Sequence, residues 1–200
     1  MANDNSLRTP CKHKDYGCRE GLLDIDSLDG LSLTRFWHEN NCKFKPFCCP
    51  DINCNLKLKT LEEVFIHEFD SHLNQFGKMS GPTINGTLTL RAVQKDWVKI
   101  QKILYKRKIF YYYIYMKNGI MHHFIRIMGD QNEADNYLFR LQILEEGNRY
   151  EFLNEVSSLK STPEAIIQYF QSIRIEDEFI KRWTYERKVI HFQIEIVKHS

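Results

Sequence analysis

The chain has 200 residues, of which 42% are hydrophobic and 27% charged, proportions that exclude a disordered tail protein. Its 28 Lys and Arg face 26 Asp and Glu for a formal charge of +2, too even for a protein that holds nucleic acid by bulk charge. No apolar run approaches the roughly 18 residues of a membrane span, and Met1-Ala-Asn-Asp-Asn-Ser6 lacks the apolar segment of a secretory signal, so a reducing compartment, cytoplasm or nucleus, is expected.

Residues 1–10 are expected to form a flexible N-terminus. The six cysteines then follow closely, at Cys11, Cys18, Cys42, Cys48, Cys49 and Cys54, and the rest of the chain has none. In a reducing compartment such clustering points to metal rather than to disulfides. One set reads Cys11-x6-Cys18, then a long gap, then His38-x3-Cys42. The other reads Cys49-x4-Cys54-x12-His67-x4-His72. Each supplies thiolate and imidazole donors suited to a tetrahedral Zn²⁺, and in so small a segment metal binding and folding are one event. Two structural Zn²⁺ ions are therefore expected. Four protein ligands leave no open position for water, so neither site is expected to be catalytic. Buried free thiols are the competing reading, His13 is a competing ligand for the first set, and Cys48 reads as a spare core thiol. A RING domain draws its two zinc ions mostly from cysteine and needs more than these six, so none is expected within this chain.

The second set also fits a DNA-reading finger by spacing. Its helix, expected from about Thr60, would then present Glu62 and Glu63 to phosphate, the wrong sign for that task. A structural finger is the stronger reading. Residues 11–77 are accordingly taken as a small α+β unit of tandem fingers, and residues 78–86, with Gly81, Pro82 and Gly86 as breakers, as a linker.

Residues 87–200 read as an all-β antiparallel sandwich with one or two short helices. Ile109–Met116 is a strand apolar on both faces. Asn118-Gly119 is a hairpin turn signal leading to a short strand through Phe124–Met128. Phe139, Leu141 and Ile143 alternate with polar residues, as do Ile190, Phe192, Ile194 and Ile196. The 146–148 stretch turns the Tyr137–Leu144 strand into a Tyr150–Asn154 strand. Thr162-Pro163 is a capped helix start, and a second short helix is expected over Glu176–Trp183. The basic stretch Lys95, Lys99, Lys102, Lys106, Arg107 and Lys108 reads as a solvated sheet face that discourages edge pairing, with attraction of an acidic partner as the alternative. The Phe110–Tyr113 run reads as core. His122 and His123, adjacent on a strand, point to opposite faces and cannot readily share a metal.

These ligand sets, in this order, resemble the double zinc finger of the seven-in-absentia (SINA/SIAH) family. Cys42-Lys-Phe-Lys-Pro-Phe-Cys-Cys-Pro50 resembles the family's segment between its two fingers. Asp96-Trp97-Val98, Phe124-Ile-Arg-Ile-Met-Gly129 and Glu133-Ala-Asp-Asn-Tyr-Leu-Phe-Arg-Leu141 are similar to further family segments, so the resemblance runs from about Cys11 to Lys198. It implies two structural zincs, a TRAF-like substrate-binding sandwich that takes target peptides by strand addition, homodimers or heterodimers with a relative, and a role in the ubiquitin conjugation pathway. The family also carries an upstream catalytic RING, so these residues would be either an adaptor without a RING of its own or the substrate-binding part of an E3 ligase. A nucleic-acid-binding finger protein is a third reading. By the resemblance, Asp96, Trp97 and Lys99 would line the peptide site. Lys99 stands where the family typically has Met, which implies a different target peptide, and Trp97 reads equally well as a core tryptophan at a strand start.

Overall fold

The computed structural model describes residues 8–23, 33–72, 77–89, 96–145, 148–169, 171–176, 178–180 and 189–199. The finger region opens with β1 (Arg8–Pro10), paired antiparallel with β2 (Gly21–Leu23). Arg8–Pro10 are thus an ordered strand within the stretch expected to be flexible, held by the ladder that presents the first cysteine. Helix α1 (Leu33–Asn41) follows, then a short ladder of β3 (Phe47–Cys48) and β4 (Lys57–Leu58), then helix α2 (Leu61–His72). A capping box starts α2: the Thr60 hydroxyl accepts the Glu63 N–H at 3.1 Å, and the Glu63 carboxylate accepts the Thr60 and Lys59 N–H groups at 3.3 and 2.7 Å.

Two sheets pack face to face beyond the fingers. The six-stranded sheet contains β5 (Gly77–Ser80), β7 (Trp97–Tyr105), β8 (Lys108–Lys117), β9 (Ile120–Ile127), β12 (Ser157–Ser158) and β13 (Ile173–Glu176). The four-stranded sheet has the order β11 (Asn148–Glu155), β10 (Tyr137–Glu145), β14 (Val189–Lys198), β6 (Thr83–Thr89). Two short helices, α3 (Gln131–Ala134) and α4 (Pro163–Gln168), lie in connections, and a helical turn covers 178–180. The strand alternation reads directly into packing. Phe139, Leu141, Ile143, Phe192, Ile194 and Ile196 meet Ile103, Phe110, Tyr112 and Ile114 between the sheets. Among the described residues no helix is long and apolar enough to cross a membrane.

The structure differs from the sequence reading in three further places. Residues 78–86 are not a linker: they contribute to β5 and β6, and Ile84 is fully buried in the core. Gly86 is there for space, because the Phe192 ring lies where a Cβ would stand. The sandwich is not purely antiparallel, since β5 joins β7 and β12 joins β9 in parallel. Ile173–Glu176, with alternating burial, pair with β9 as a strand, so Glu176 ends a strand rather than starting a helix, while residues 181–183 lie outside the described residues.

A second apolar core explains why β8 is apolar on both faces. Tyr111, Tyr113 and Phe124 point away from the sandwich interior and bury Phe47 and Val64 of the second finger together with Leu159 and Ile166. The finger is thereby built onto the outer face of the larger sheet.

Candidate metal centres

The two ligand sets converge. The donor atoms of Cys11, Cys18, His38 and Cys42 lie within 4.8 Å of one another, and so do those of Cys49, Cys54, His67 and His72. In the first centre, the β1–β2 ladder and the turn between them present Cys11 and Cys18. The last turn of α1 carries His38, and Cys42 follows directly after the end of that helix. In the second, the β3–β4 ladder presents Cys49 and Cys54, and α2 presents His67 and His72 from its C-terminal turns.

The spacing of the donors tests the fit. A tetrahedral Zn²⁺ with metal–ligand distances of about 2.0–2.3 Å sets S–N edges near 3.5 Å and N–N edges near 3.3 Å. The Cys18 Sγ to His38 Nε2 separation is 3.5 Å, Cys49 Sγ to His72 Nε2 and Cys54 Sγ to His67 Nε2 are each 3.4 Å, and His67 Nε2 to His72 Nε2 is 3.2 Å. Two imidazole nitrogens turned towards each other between two thiols match the edges of a metal polyhedron, and each cluster can hold a metal ion.

Electrostatics make the same demand. Without a cation, burial pushes the Cys11 thiol up to about 11 and the Cys49 thiol up to about 12, with the neighbouring cysteines adding to it. Thiolates packed so closely form only where a divalent charge compensates them. The outer contacts orient the ligands. The Asp51 carboxylate lies 3.6 Å from His72 Nδ1, and the Ser71 hydroxyl lies 3.4 Å from His67 Nδ1. His13, the competing ligand by sequence, sits outside the cluster with Nε2 3.0 Å from the Glu39 carbonyl. Burial, ahead of all other influences, lowers its pKa. Cys48 is half-buried beside the second centre, its N–H donating to the Leu159 carbonyl at 2.9 Å.

No family model matches the chain. The E3 ubiquitin-protein ligase siah-1 of Caenorhabditis briggsae is 26% identical over 148 residues, 70% of this chain and 32% of that protein. The E3 ubiquitin-protein ligase sina of Drosophila melanogaster is 26% identical over 158 residues, 72% of this chain and 45% of that protein. SINAT3 of Arabidopsis thaliana, also an E3 ubiquitin-protein ligase, is 25% identical over 150 residues, 69% of this chain and 42% of that protein. The chain is thus similar, over about 70% of its length, to E3 ubiquitin-protein ligases of the seven-in-absentia type. It spans less than half the length of these curated relatives.

The three residues of the expected peptide site lie at the start of β7 and do different things. The Asp96 carboxylate is exposed but accepts the Asn118 N–H of the β8–β9 turn at 3.1 Å. Trp97 is half-buried and packs against the core, with its indole N–H buried and without a hydrogen-bond partner among the described residues. Lys99 is exposed. The basic stretch is partly consumed by structure: Lys102 pairs with Glu68, Lys108 pairs with Glu133, and Lys106-Arg107 form a turn. Lys95 lies outside the described residues. Sequence reasoning missed Glu68 and Tyr111, the buried pair that seats α2 on the sheet. A carboxylate in the register of Val64, on the inner face of α2, was the available signal.

Proposed function

We propose that this chain is a protein-interaction adaptor of ubiquitin-dependent degradation. It takes target peptides on the sandwich, forms homodimers or pairs with a seven-in-absentia relative, and works in the cytoplasm or nucleus. The observation that carries this reading is the half-open edge of β7. Gln101–Leu104 are covered by β5, whereas Trp97–Ile100 have no strand partner on that side among the described residues. Their backbone donors and acceptors offer a ladder to an extended peptide, with Trp97 and Lys99 on one side to select its side chains. Lys99 favours a carboxylate at the peptide position above it. The fingers fix the sheet from behind, and ubiquitin transfer is assigned to a RING outside these residues.

One observation favours a second reading, that these residues are the substrate-binding part of an active RING ligase. The curated relatives are themselves named ligases, and the match spans less than half of each. The DNA-reading alternative meets an α2 whose Val64 and Glu68 face is taken up by the sandwich and whose first turn carries Glu62 and Glu63.

The test combines native mass spectrometry with peptide binding and a reconstituted ubiquitination assay. Two zincs per chain, a dimer, and capture of array peptides lost on Lys99→Glu are expected. The chain alone should transfer no ubiquitin and should bring captured substrate to an added seven-in-absentia ligase. A monomer that captures no peptide overturns the reading.

A further inference from the structure

A cleft of about 680 Å³ lies between the first finger and the sandwich, away from the β7 edge. One wall carries Lys43 and Lys45, from the segment joining the two fingers, and Lys160, from the connection before α4. Phe36 of α1 and Tyr169, at the C-terminal end of α4, meet edge to face across the boundary between the two units, with ring centroids 6.1 Å apart.

The lysines are held rather than waving. Lys160 Nζ donates to the Lys43 carbonyl at 3.1 Å and lies 4.9 Å from the centre of the Phe47 ring. Lys43 Nζ lies 5.0 Å from the Phe44 ring centre, and Lys45 Nζ donates to the Asn40 carbonyl at 3.4 Å. None of the three has a carboxylate within ion-pair distance among the described residues. Two acids also line the cleft and are hydrogen-bonded within their own helix: Asp130 caps α3 by accepting the Glu133 N–H at 3.0 Å, and Asp135 accepts the Gln131 side-chain amide at 2.7 Å. Burial, and then the charges of Lys12 and Lys160, hold the Lys45 ammonium below the usual lysine range. Cations gathered into a partly desolvated cleft with no carboxylate in ion-pair contact gain most from an anion that supplies one.

We propose that this cleft binds an acidic or phosphorylated peptide segment of a partner protein, with Lys43, Lys45 and Lys160 holding the anionic side chain. A peptide fits better than a nucleic acid for two reasons. The cationic wall is short, and a strand carrying a phosphate at every residue would run from it onto Asp130 and Asp135. The remaining lining, including Asn41, Ser161 and Gln171, offers hydrogen bonds suited to a peptide backbone. The site is separate from β7 and stands or falls independently of the strand-addition reading.

The experiment is fluorescence anisotropy on the full, zinc-loaded chain. The probes are labelled Gly-Ser decapeptides carrying three aspartates, three phosphoserines or three asparagines, and an oligouridine ten-mer. The two anionic peptides should bind, the phosphoserine peptide more tightly, and the asparagine peptide should not. The triple variant Lys43→Gln, Lys45→Gln, Lys160→Gln should weaken anionic binding at least about tenfold, while Arg149→Gln, at an exposed cation of β11 outside both peptide sites, leaves it unchanged. If the triple variant loses zinc, Lys43→Gln alone, at an exposed position, should still weaken binding about threefold. Equal binding of the asparagine peptide, no loss in the lysine variants, or tighter binding of oligouridine than of phosphopeptide overturns the proposal.

Discussion

Glu68 on the helix of the second finger and Tyr111 on the sandwich share a 2.5 Å hydrogen bond in a buried interface, the hydroxyl donating to the carboxylate. Lys102 donates to the other carboxylate oxygen at 2.7 Å. Burial, and next the Glu68 charge, push the Tyr111 phenol far above its ordinary range, so it remains a donor at any pH the fold survives. Replacing Glu68 by Ala removes the carboxylate that the phenol and the ammonium share. The loss should be about 3–5 kcal/mol, against about 1–3 kcal/mol for Glu68→Gln, which retains an acceptor. Urea unfolding of the zinc-loaded chain measures both.

The two metal centres should contribute unequally to the stability of the sandwich. The second finger shares a core with Tyr111, Tyr113 and Phe124, whereas the buried apolar cluster of the first is its own, built of Cys11, Cys18, Leu22 and Cys42 with Phe44. Cys49→Ser should therefore lower the melting temperature of the sandwich by more than about 10 °C, and Cys11→Ser by only a few degrees. Each variant should release one zinc on mass analysis. Equal melting temperatures for the two would show that the shared core does not transmit the metal's stabilisation.

Two histidines in the larger sheet give the fold a pH dependence of definite sign. His123 Nδ1 and the Tyr112 hydroxyl share a hydrogen bond at 2.5 Å, and His122 Nδ1 is 3.0 Å from the Ser172 hydroxyl. Burial, then the charge of His122, lowers the His123 pKa to about 3. Burial, then the charges of Arg174 and Lys117, lowers that of His122 to about 4. The unfolded chain takes up these protons near pH 6.5 and the folded chain does not. Stability is thus fully present above about pH 6.5 and falls as the pH drops towards 4 and 3, by up to about 1.4 kcal/mol per pH unit for each histidine. His122→Gln should flatten the slope between pH 6 and pH 4.5 by roughly that amount. Denaturant titrations at saturating zinc, read as the difference between variant and wild type, separate this effect from protonation of the metal ligands.

How much of this was legible in the sequence depends on whether the signal was local. The ligand spacings are local, because His38 on the last turn of α1 and Cys42 just beyond its end are only four residues apart. So are the Thr162 cap, whose hydroxyl accepts the Ala165 N–H at 3.2 Å, and the Asn118-Gly119 turn, with φ of 51° and 76°. The Lys106-Arg107 turn takes the same left-handed conformation, with φ of 48° and 62°, but without a residue that prefers it. Nothing nearby announces it, and the pairing of β7 with β8 imposes the conformation. The aromatic run of β8 was readable as core. That half of it is core to the finger and half to the sandwich was not, since Phe47 and Val64 lie far away in sequence.

Gly86 shows the same limit in a single residue. Read locally it is a breaker, and in space it is the gap into which the Phe192 ring packs from β14. Gly86→Ala should cost about 1–3 kcal/mol by overpacking. Combining it with Phe192→Leu should cost less than the sum of the two single changes, because the smaller side chain yields the space that the new methyl needs. Thermal melts of the four proteins in this cycle decide it, and strict additivity would place the strain elsewhere.

The last relationship ties the outer face of the larger sheet to the second metal centre. Arg126, fully buried, donates through Nη1 to the Tyr113 hydroxyl at 3.1 Å and through Nη2 to the Leu159 carbonyl at 2.9 Å. Tyr113 in turn donates to the carbonyl of Pro50, next in the chain to the ligand Cys49, at 2.6 Å. Burial pushes the Tyr113 phenol up to about 12 even with the Arg126 charge opposing it, so the hydroxyl stays protonated and the chain of donors keeps one direction. Removing the hydroxyl leaves an unpaired carbonyl beside a metal ligand and an unpaired guanidinium arm in the core. Tyr113→Phe should therefore cost about 1–3 kcal/mol and quicken zinc loss to a chelator from the second centre only. A colorimetric zinc-release assay resolves the two centres if Cys11→Ser is used to empty the first. Release that is no faster in the Tyr113→Phe background would mean that the Pro50 carbonyl does not need its partner to hold Cys49 in place.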